Sequence, residues 1–160
     1  MAHYPDKIMD IGRLKNTVDF LKARGKTIVF TNGCFDILHP GHTRYLAAAR
    51  DLGDYLVVAV NSDRSTRAIK GEKRPVMPQD ARTEVLAALG FVDAVVIFDE
   101  ETPYKVIEYL LPDILVKGGD WSENEIVGAD IVKQAGGQVR RIPYVSGYST
   151  TEIIRKIKAA

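Results

Sequence analysis

The chain carries a single cysteine, Cys34, in 160 residues. That excludes an internal disulfide framework and suits a reducing, cytoplasmic setting. It has almost no net charge: 22 Lys and Arg stand against 21 Asp and Glu, a formal +1. So even a balance disfavours bulk electrostatic binding to nucleic acid or to an anionic membrane. No apolar run approaches the roughly 18 residues that a membrane span requires. The opening Met1-Ala-His-Tyr-Pro-Asp6 lacks the basic-then-apolar order of a secretory signal. Repeats, low-complexity tracts and long linkers are missing, and 160 residues suit one domain with a real core. These absences leave one soluble, cytoplasmic domain.

What is present is an alternation. Residues 11–24 place Ile11, Leu14, Val18 and Leu21 at helical spacing, with Gly25 as a stop. Thr27-Ile-Val-Phe-Thr31 reads as a strand, and residues 42–52 as a helix with Tyr45, Leu46, Ala49 and Leu52 on one face. Tyr55-Leu-Val-Val-Ala-Val60 is unbroken and β-branched, as in a strand buried on both faces. Helices follow at 79–89 (Val85, Leu86 and Leu89 inward), 103–110, 123–134 and 150–158, with strands at 94–98, 114–117 and 138–142. Strand and helix in alternation predict a doubly wound α/β domain with a five-stranded parallel sheet. Residues 26–160 form that domain and 1–25 a helical N-terminal extension. In such sheets ligands sit beyond the carboxyl ends of the strands, so the loops after Thr31, Val60, Lys117 and Ile142 are the places to search.

The loop after the first strand, Thr31-Asn-Gly-Cys-Phe-Asp-Ile-Leu-His-Pro-Gly-His42, holds two of the chain's three histidines. Gly33 brings bare backbone close to an anion. Pro40 and Gly41 set a turn into a helix whose free N–H groups and dipole favour phosphate, with His42 in its first turn and His39 just before it. Zinc held by Cys34, Asp36, His39 and His42 is chemically possible, but the run has neither Cys-x-x-Cys nor His-x-x-x-His. Capping histidines around a buried cysteine are the structural alternative. Neither Gly-x-Gly-x-x-Gly nor Gly-x-x-x-x-Gly-Lys-Ser/Thr occurs, which disfavours ordinary dinucleotide and P-loop chemistry.

Gly33-Cys-Phe-Asp36 followed by His39-Pro-Gly-His42 resembles the signature of the HxGH nucleotidyltransferases, the cytidylyltransferase-like superfamily with its Rossmann-like fold. The resemblance spans roughly residues 26–157. It continues through Val60-Asn-Ser-Asp63, Lys70-Gly-Glu-Lys-Arg-Pro75, Arg82, Lys117-Gly-Gly-Asp-Trp121 and Tyr148-Ser-Thr-Thr-Glu152. Leu111-Pro-Asp-Ile-Leu-Val-Lys-Gly-Gly-Asp120 is most similar to the adenylyltransferase half of the bifunctional heptose kinase/adenylyltransferases. With no room for a sugar kinase, the resemblance points to a stand-alone form. The implied substrates are ATP and a sugar 1-phosphate, giving ADP-heptose and pyrophosphate for lipopolysaccharide core synthesis, with Mg²⁺ arriving with the substrate rather than in a protein cage.

The resemblance also implies roles. The stretch Thr31, Asn32, Gly33, Cys34 and Phe35 would offer backbone N–H groups to the triphosphate, with Gly41 at the turn. His39 and His42 would donate to phosphate oxygens, His42 foremost. Lys70 or Lys73, in the Gly- and Pro-punctuated loop that also holds Arg74, would be the transition-state cation; a solvated charged loop is the alternative. Arg82 has two readings, a triphosphate contact and a surface salt bridge. Lys117, Gly118, Asp120 and Trp121 would line the base, the glycines leaving space for a flat ring and Trp121 stacking or walling it, unless Trp121 is core. Ser149 and Thr150 would hold phosphate, although helix capping alone explains them. Asp36 and Asn61 are assigned to the acceptor, with an anchoring hydrogen bond inside the turn as the other reading of Asp36. Cytidylyl-type relatives usually carry an arginine shortly before the Ser-Thr pair; Pro143-Tyr-Val-Ser146 stands there instead. A homodimer is expected, with neither nucleic acid nor membrane as partner.

Overall fold

The computed structural model describes residues 3–119 and 121–160. Five strands, β1 (Ile28–Gly33), β2 (Tyr55–Asn61), β3 (Ala94–Phe98), β4 (Ile114–Gly118) and β5 (Gln138–Ile142), form one sheet in the order β3-β2-β1-β4-β5. Every pairing is parallel, so the expected doubly wound α/β sheet is what forms. The helices are α1 (Ile11–Lys22), α2 (Pro40–Arg50), α3 (Asp63–Lys70), α4 (Gln79–Ala88), α5 (Tyr104–Leu110), α6 (Ala129–Gln134) and α7 (Thr150–Ala159). None of the described helices is long and apolar enough to cross a membrane.

Period-2 alternation divides the core between the two sheet faces. Phe30, Val57, Ala59 and Leu115 pack with Leu14 and Val18 of α1 and Ile107 and Leu110 of α5. Val29, Leu56, Val58 and Val116 point the other way, onto Leu46 and Ala49 of α2 and Leu86 and Ala87 of α4. The interior strand β2 is buried from Leu56 to Asn61, whereas the edge strand β5 is largely exposed.

Several expectations are corrected. Val85 is expected to point inward but is exposed, and Ile11, first of the helically spaced apolar residues of α1, is exposed as well. In α4 the buried stripe is Arg82, Thr83, Leu86 and Ala87, which turns Val85 outward: a charged side chain occupies the inward position that an apolar pattern cannot reveal. The segment after β2 is not all loop, because Asp63–Lys70 forms α3, capped by Ser62 accepting the Ser65 N–H. Its polar composition hides it, since it buries Ser65 and Thr66 rather than an apolar stripe. The single helix expected over 123–134 is a 3₁₀ turn at Glu123–Glu125 followed by α6. Gly128 divides them at φ +85°, where a Cβ would stand 2.7 Å from Ile107 Cδ1.

Strand order reverses beside β1, between its neighbours β2 and β4. At such a switch point two loops diverge to opposite faces and leave a crevice at the carboxyl edge.

Candidate active site

A cleft of about 1120 Å³ opens at that edge. The ends of all five strands feed it: Asn32 to Asp36 after β1, Asn61 of β2, Glu101 to Pro103 after β3, Lys117 and Gly118 of β4, and Pro143 to Thr151 after β5. Its volume is at the upper end of the range for small-molecule pockets.

The first wall is the loop from β1 into α2. Phe35 and Ile37 hold φ of 47° and 52°, a left-handed conformation costly for such side chains and found where surrounding structure enforces it. Asp36 supplies much of that enforcement. Its carboxylate, fully buried as a side chain, accepts from Arg74 Nε and Val76 N at 2.8 Å and from Met77 N at 2.9 Å. Its carbonyl accepts the Thr150 hydroxyl at the start of α7. Burial alone would raise the Asp36 pKa, but the two amides and the guanidinium outweigh it and hold the carboxylate below its usual range. The Asp36 carboxylate is thus committed to the 74–77 segment, as the anchoring reading expects, while the residue also borders the cleft.

Arg82 is corrected in the same direction. Its side chain is 1% exposed and lies behind the loop, donating to Met77 O (3.0 Å), Cys34 O (2.5 Å) and Asp63 Oδ1 (2.9 Å). It neither faces the cleft nor forms a surface salt bridge; it fixes the loop from inside. Thr31 likewise belongs to the sheet. It is buried within β1, and its hydroxyl pairs with Tyr45 OH at 2.7 Å, which in turn donates to Val116 O.

His39 precedes α2 and His42 sits in its first turn. Their rings stack 3.8 Å apart at 22°, Phe35 meets His42 edge-on, and Tyr148 lies parallel to His39 at 6.4 Å. Gly41 makes this possible: a Cβ there would be 2.8 Å from His39 Cε1, so any larger residue pushes His39 off its partner. Burial pushes the His42 pKa down to about 4, reinforced by His39 and opposed by Asp36; burial also lowers His39. Both imidazoles are thus neutral near pH 7, each with one N–H to donate. Their Nδ1 atoms are buried without a partner.

A pH test follows. With the folded-state pKa of His42 below that of the unfolded chain, the unfolded state binds the proton first. Stability from this group is then complete above about pH 6.5 and falls as pH drops toward about 4, by roughly 2 kcal/mol after allowing for partial solvation. The H42A variant lacks this loss, so its stability relative to wild type is expected to improve as pH falls through that window. Urea titrations at several pH values measure it, and a flat difference would show that His42 titrates normally.

Cations complete the site. Lys70, Arg74, Lys117 and Lys156 all line the cleft. Burial lowers the Lys117 pKa, Cys34 opposes that and the Lys70 ammonium adds to it, so the two lysines face one region. Of Lys70 and Lys73, both exposed, only Lys70, at the C-terminal end of α3, lines the cleft. Asn32, Gly33, Cys34, Phe35, Gly41 and Gly118 line the cleft. Asn61 does too, its amide donating to Ser65 Oγ at 3.0 Å. Ser149 caps α7 by accepting the Glu152 N–H and, with Thr150, lines the cleft, so the N-termini of α2 and α7 open on the same space.

Trp121 does not form the wall. It is half-exposed outside the cleft, its carbonyl accepting from Arg141, and Asp120 lies outside the described residues. Tyr144 and Tyr148, which reasoning from sequence passed over, also line the cleft, Tyr144 beside Gly118 and Tyr148 beside His39. The available signal was positional: both follow β5 at the edge already marked for search.

A family described as cytidylyltransferase-like matches residues 30–156. "Bifunctional protein HldE" of Proteus mirabilis is 56% identical over 151 residues, covering 94% of this chain and 32% of that protein. Its namesake in Citrifermentans bemidjiense is 54% identical, with 94% and 31% covered. The chain spans about a third of the length of these curated relatives. Among solved structures, a lipopolysaccharide core biosynthesis protein from Thermoplasma volcanium superposes with a TM-score of 0.61 at 31% identity, covering 78% of this chain and 100% of that one. A pantoate-beta-alanine ligase from Francisella tularensis reaches the same TM-score at 17% identity, covering 96% of this chain and 78% of that one, a likeness of fold alone.

Proposed function

The chain belongs to the cytidylyltransferase-like family and is a nucleotidyltransferase, and from that premise we propose that it transfers the adenylyl group of ATP to D-glycero-D-manno-heptose 1-phosphate. The products are ADP-heptose, for lipopolysaccharide core assembly, and pyrophosphate. The observation that carries the reading is the stacked, neutral His39–His42 pair at the N-terminus of α2, opening on a cleft that a second helix N-terminus and several cations share. Identity of 54–56% to proteins named bifunctional protein HldE supports the choice of sugar.

The acceptor phosphate is already an anion and needs no base. Its oxygen attacks the α-phosphorus in line, the new P–O bond forms as the α–β bridge bond breaks, and the bridging oxygen leaves with pyrophosphate. The barrier is charge crowding, so catalysis is positioning and electrostatic stabilisation. Neutral imidazoles donate without being titrated by the phosphates, the amide groups of α2 and α7 need no reorganisation, and Lys70 and Lys117 offset charge on the departing pyrophosphate. Mg²⁺ would arrive with the ATP, partly neutralising its phosphates and needing at most one or two protein carboxylates.

The test is pyrophosphate release with ATP, CTP and UTP against several phosphorylated acceptors. Turnover is expected with ATP and heptose 1-phosphate. Turnover with CTP and glycerol 3-phosphate instead would replace this reading with a cytidylyltransferase. ATP binding without pyrophosphate from any pair would make the chain a nucleotide-sensing module.

A further inference from the structure

The backbone leaves β5 alongside the end of β4, with Gly119 N donating to Ile142 O at 2.9 Å. Two residues later the chain folds back, and the Tyr144 ring lies across Gly118 and Gly119. A Cβ on Gly118 would be 3.1 Å from Tyr144 Cε1, and one on Gly119 would be 2.3 Å from Cε2 and 2.9 Å from Cζ. Gly119 also holds φ of +87°, so both its conformation and its missing side chain are needed for the ring to sit there. The space that a pair of glycines leaves beside a nucleotide site is thus filled by an aromatic ring of the protein itself. Yet Tyr144 remains 75% exposed and lines the cleft. A ring serving only to fill the gap would be covered, whereas this one is backed by backbone and presented to the ligand space.

We propose that Tyr144, backed by Gly118 and Gly119, is the stacking platform for the purine base of the nucleotide. This rests on the reading that the cleft takes a nucleoside triphosphate. The geometry suits the chemistry: phosphates go to the α2 and α7 N-termini and His42, while an aromatic surface at the end of β4 offers the heterocycle a π-face. Stacking on an aromatic side chain contributes without reading hydrogen-bond edges and grows with ring area, so a purine gains more than a pyrimidine. Tyr144 is then a positioning and selectivity residue acting on the base, remote from the reacting phosphorus.

Equilibrium binding of ATP, UTP and inorganic tripolyphosphate to wild type, Y144A, Y144F and G119A tests the proposal. Y144A is expected to weaken ATP about tenfold and UTP less, leaving tripolyphosphate, which has no base, within about twofold. Y144F is expected to recover the ATP binding lost in Y144A, because it keeps the ring. G119A, whose methyl displaces the ring, is expected to resemble Y144A, with little added loss in the double variant. Unchanged ATP binding in Y144A, or parallel loss of ATP and tripolyphosphate, overturns the platform; the latter would mark a damaged phosphate loop. Equal losses of ATP and UTP overturn the purine assignment. Wild type binding ATP no more tightly than tripolyphosphate also overturns it. The adenylyl-transfer reading stands or falls separately, on pyrophosphate release.

Discussion

Replacing His42 by alanine is expected to lower turnover by about 10²–10³-fold while weakening ATP binding far less, the size seen when one preorganised donor to a developing charge is removed. The asymmetry follows from how the site is built. On the proposed reading the triphosphate would have other ground-state partners: the amides at the starts of α2 and α7, and Lys117, which lines the cleft at the end of β4. The His42 N–H matters most when charge builds on the reacting phosphate, because burial keeps the ring neutral and shields the contact from water. The variant also removes the ring on which His39 stacks at 3.8 Å, so part of the loss belongs to the pair. Pre-steady-state pyrophosphate release and equilibrium ATP binding, measured on the same preparation, separate the two effects. A fall in turnover below about tenfold, or an equal fall in affinity, would place catalysis elsewhere.

Asp36→Asn carries the largest expected cost to stability. One carboxylate oxygen accepts from Met77 N, the other from Arg74 and Val76 N. An asparagine turns one of these acceptors into an NH₂ facing an N–H, and leaves the Arg74 guanidinium, 17% exposed, without its counter-charge. Breaking one side of such a pair costs about 3 kcal/mol or more, which for a domain of this size lowers Tm by roughly 6–12 °C. Thermal unfolding measures it, and a shift within about 2 °C would show that the carboxylate does not hold the 74–77 segment. The sign with pH is also defined. Because the folded-state pKa lies below the usual value, the stabilisation is present above the ordinary carboxylate range and is lost as pH falls through the lowered folded-state value.

The elements most legible in advance were those whose residues carry a one-dimensional signal. Strand β2 reads as buried on both faces because a short, unbroken, valine-rich apolar run suits a strand covered on both sides, and Ala94–Phe98 and Gln138–Ile142 occupy the residues expected. Helix α3 was hidden because Ser62 to Lys70 is polar and is held by a cap and by burial of Ser65 and Thr66. The phosphate loop was legible for a similar reason: His39-Pro-Gly-His42 has its geometry encoded over four neighbouring residues, with Pro40 setting the turn and Gly41 leaving room for the stack. The Gly118–Tyr144 side of the cleft was not. It joins Gly118 to Tyr144 across 26 residues, and no local pattern says which aromatic folds over which glycine; Trp121 was the nearer in sequence, Tyr144 the nearer in space.

The amino-acid sequence by itself determined the parallel α/β sheet, the edge at which the site lies and the two histidines at its centre. Local spacing and backbone preference dictate these, whatever the rest of the chain does. Only the tertiary structure decided the fate of the charged and aromatic residues. Arg82 and Asp36 turned inward to brace the loop, Lys70 lines the cleft while Lys73 does not, and Tyr144 rather than Trp121 lies beside Gly118 and Gly119 at its edge. Long side chains on loops can reach several partners, and which one they meet depends on distances between segments far apart in the chain. Those distances exist only once the sheet has assembled.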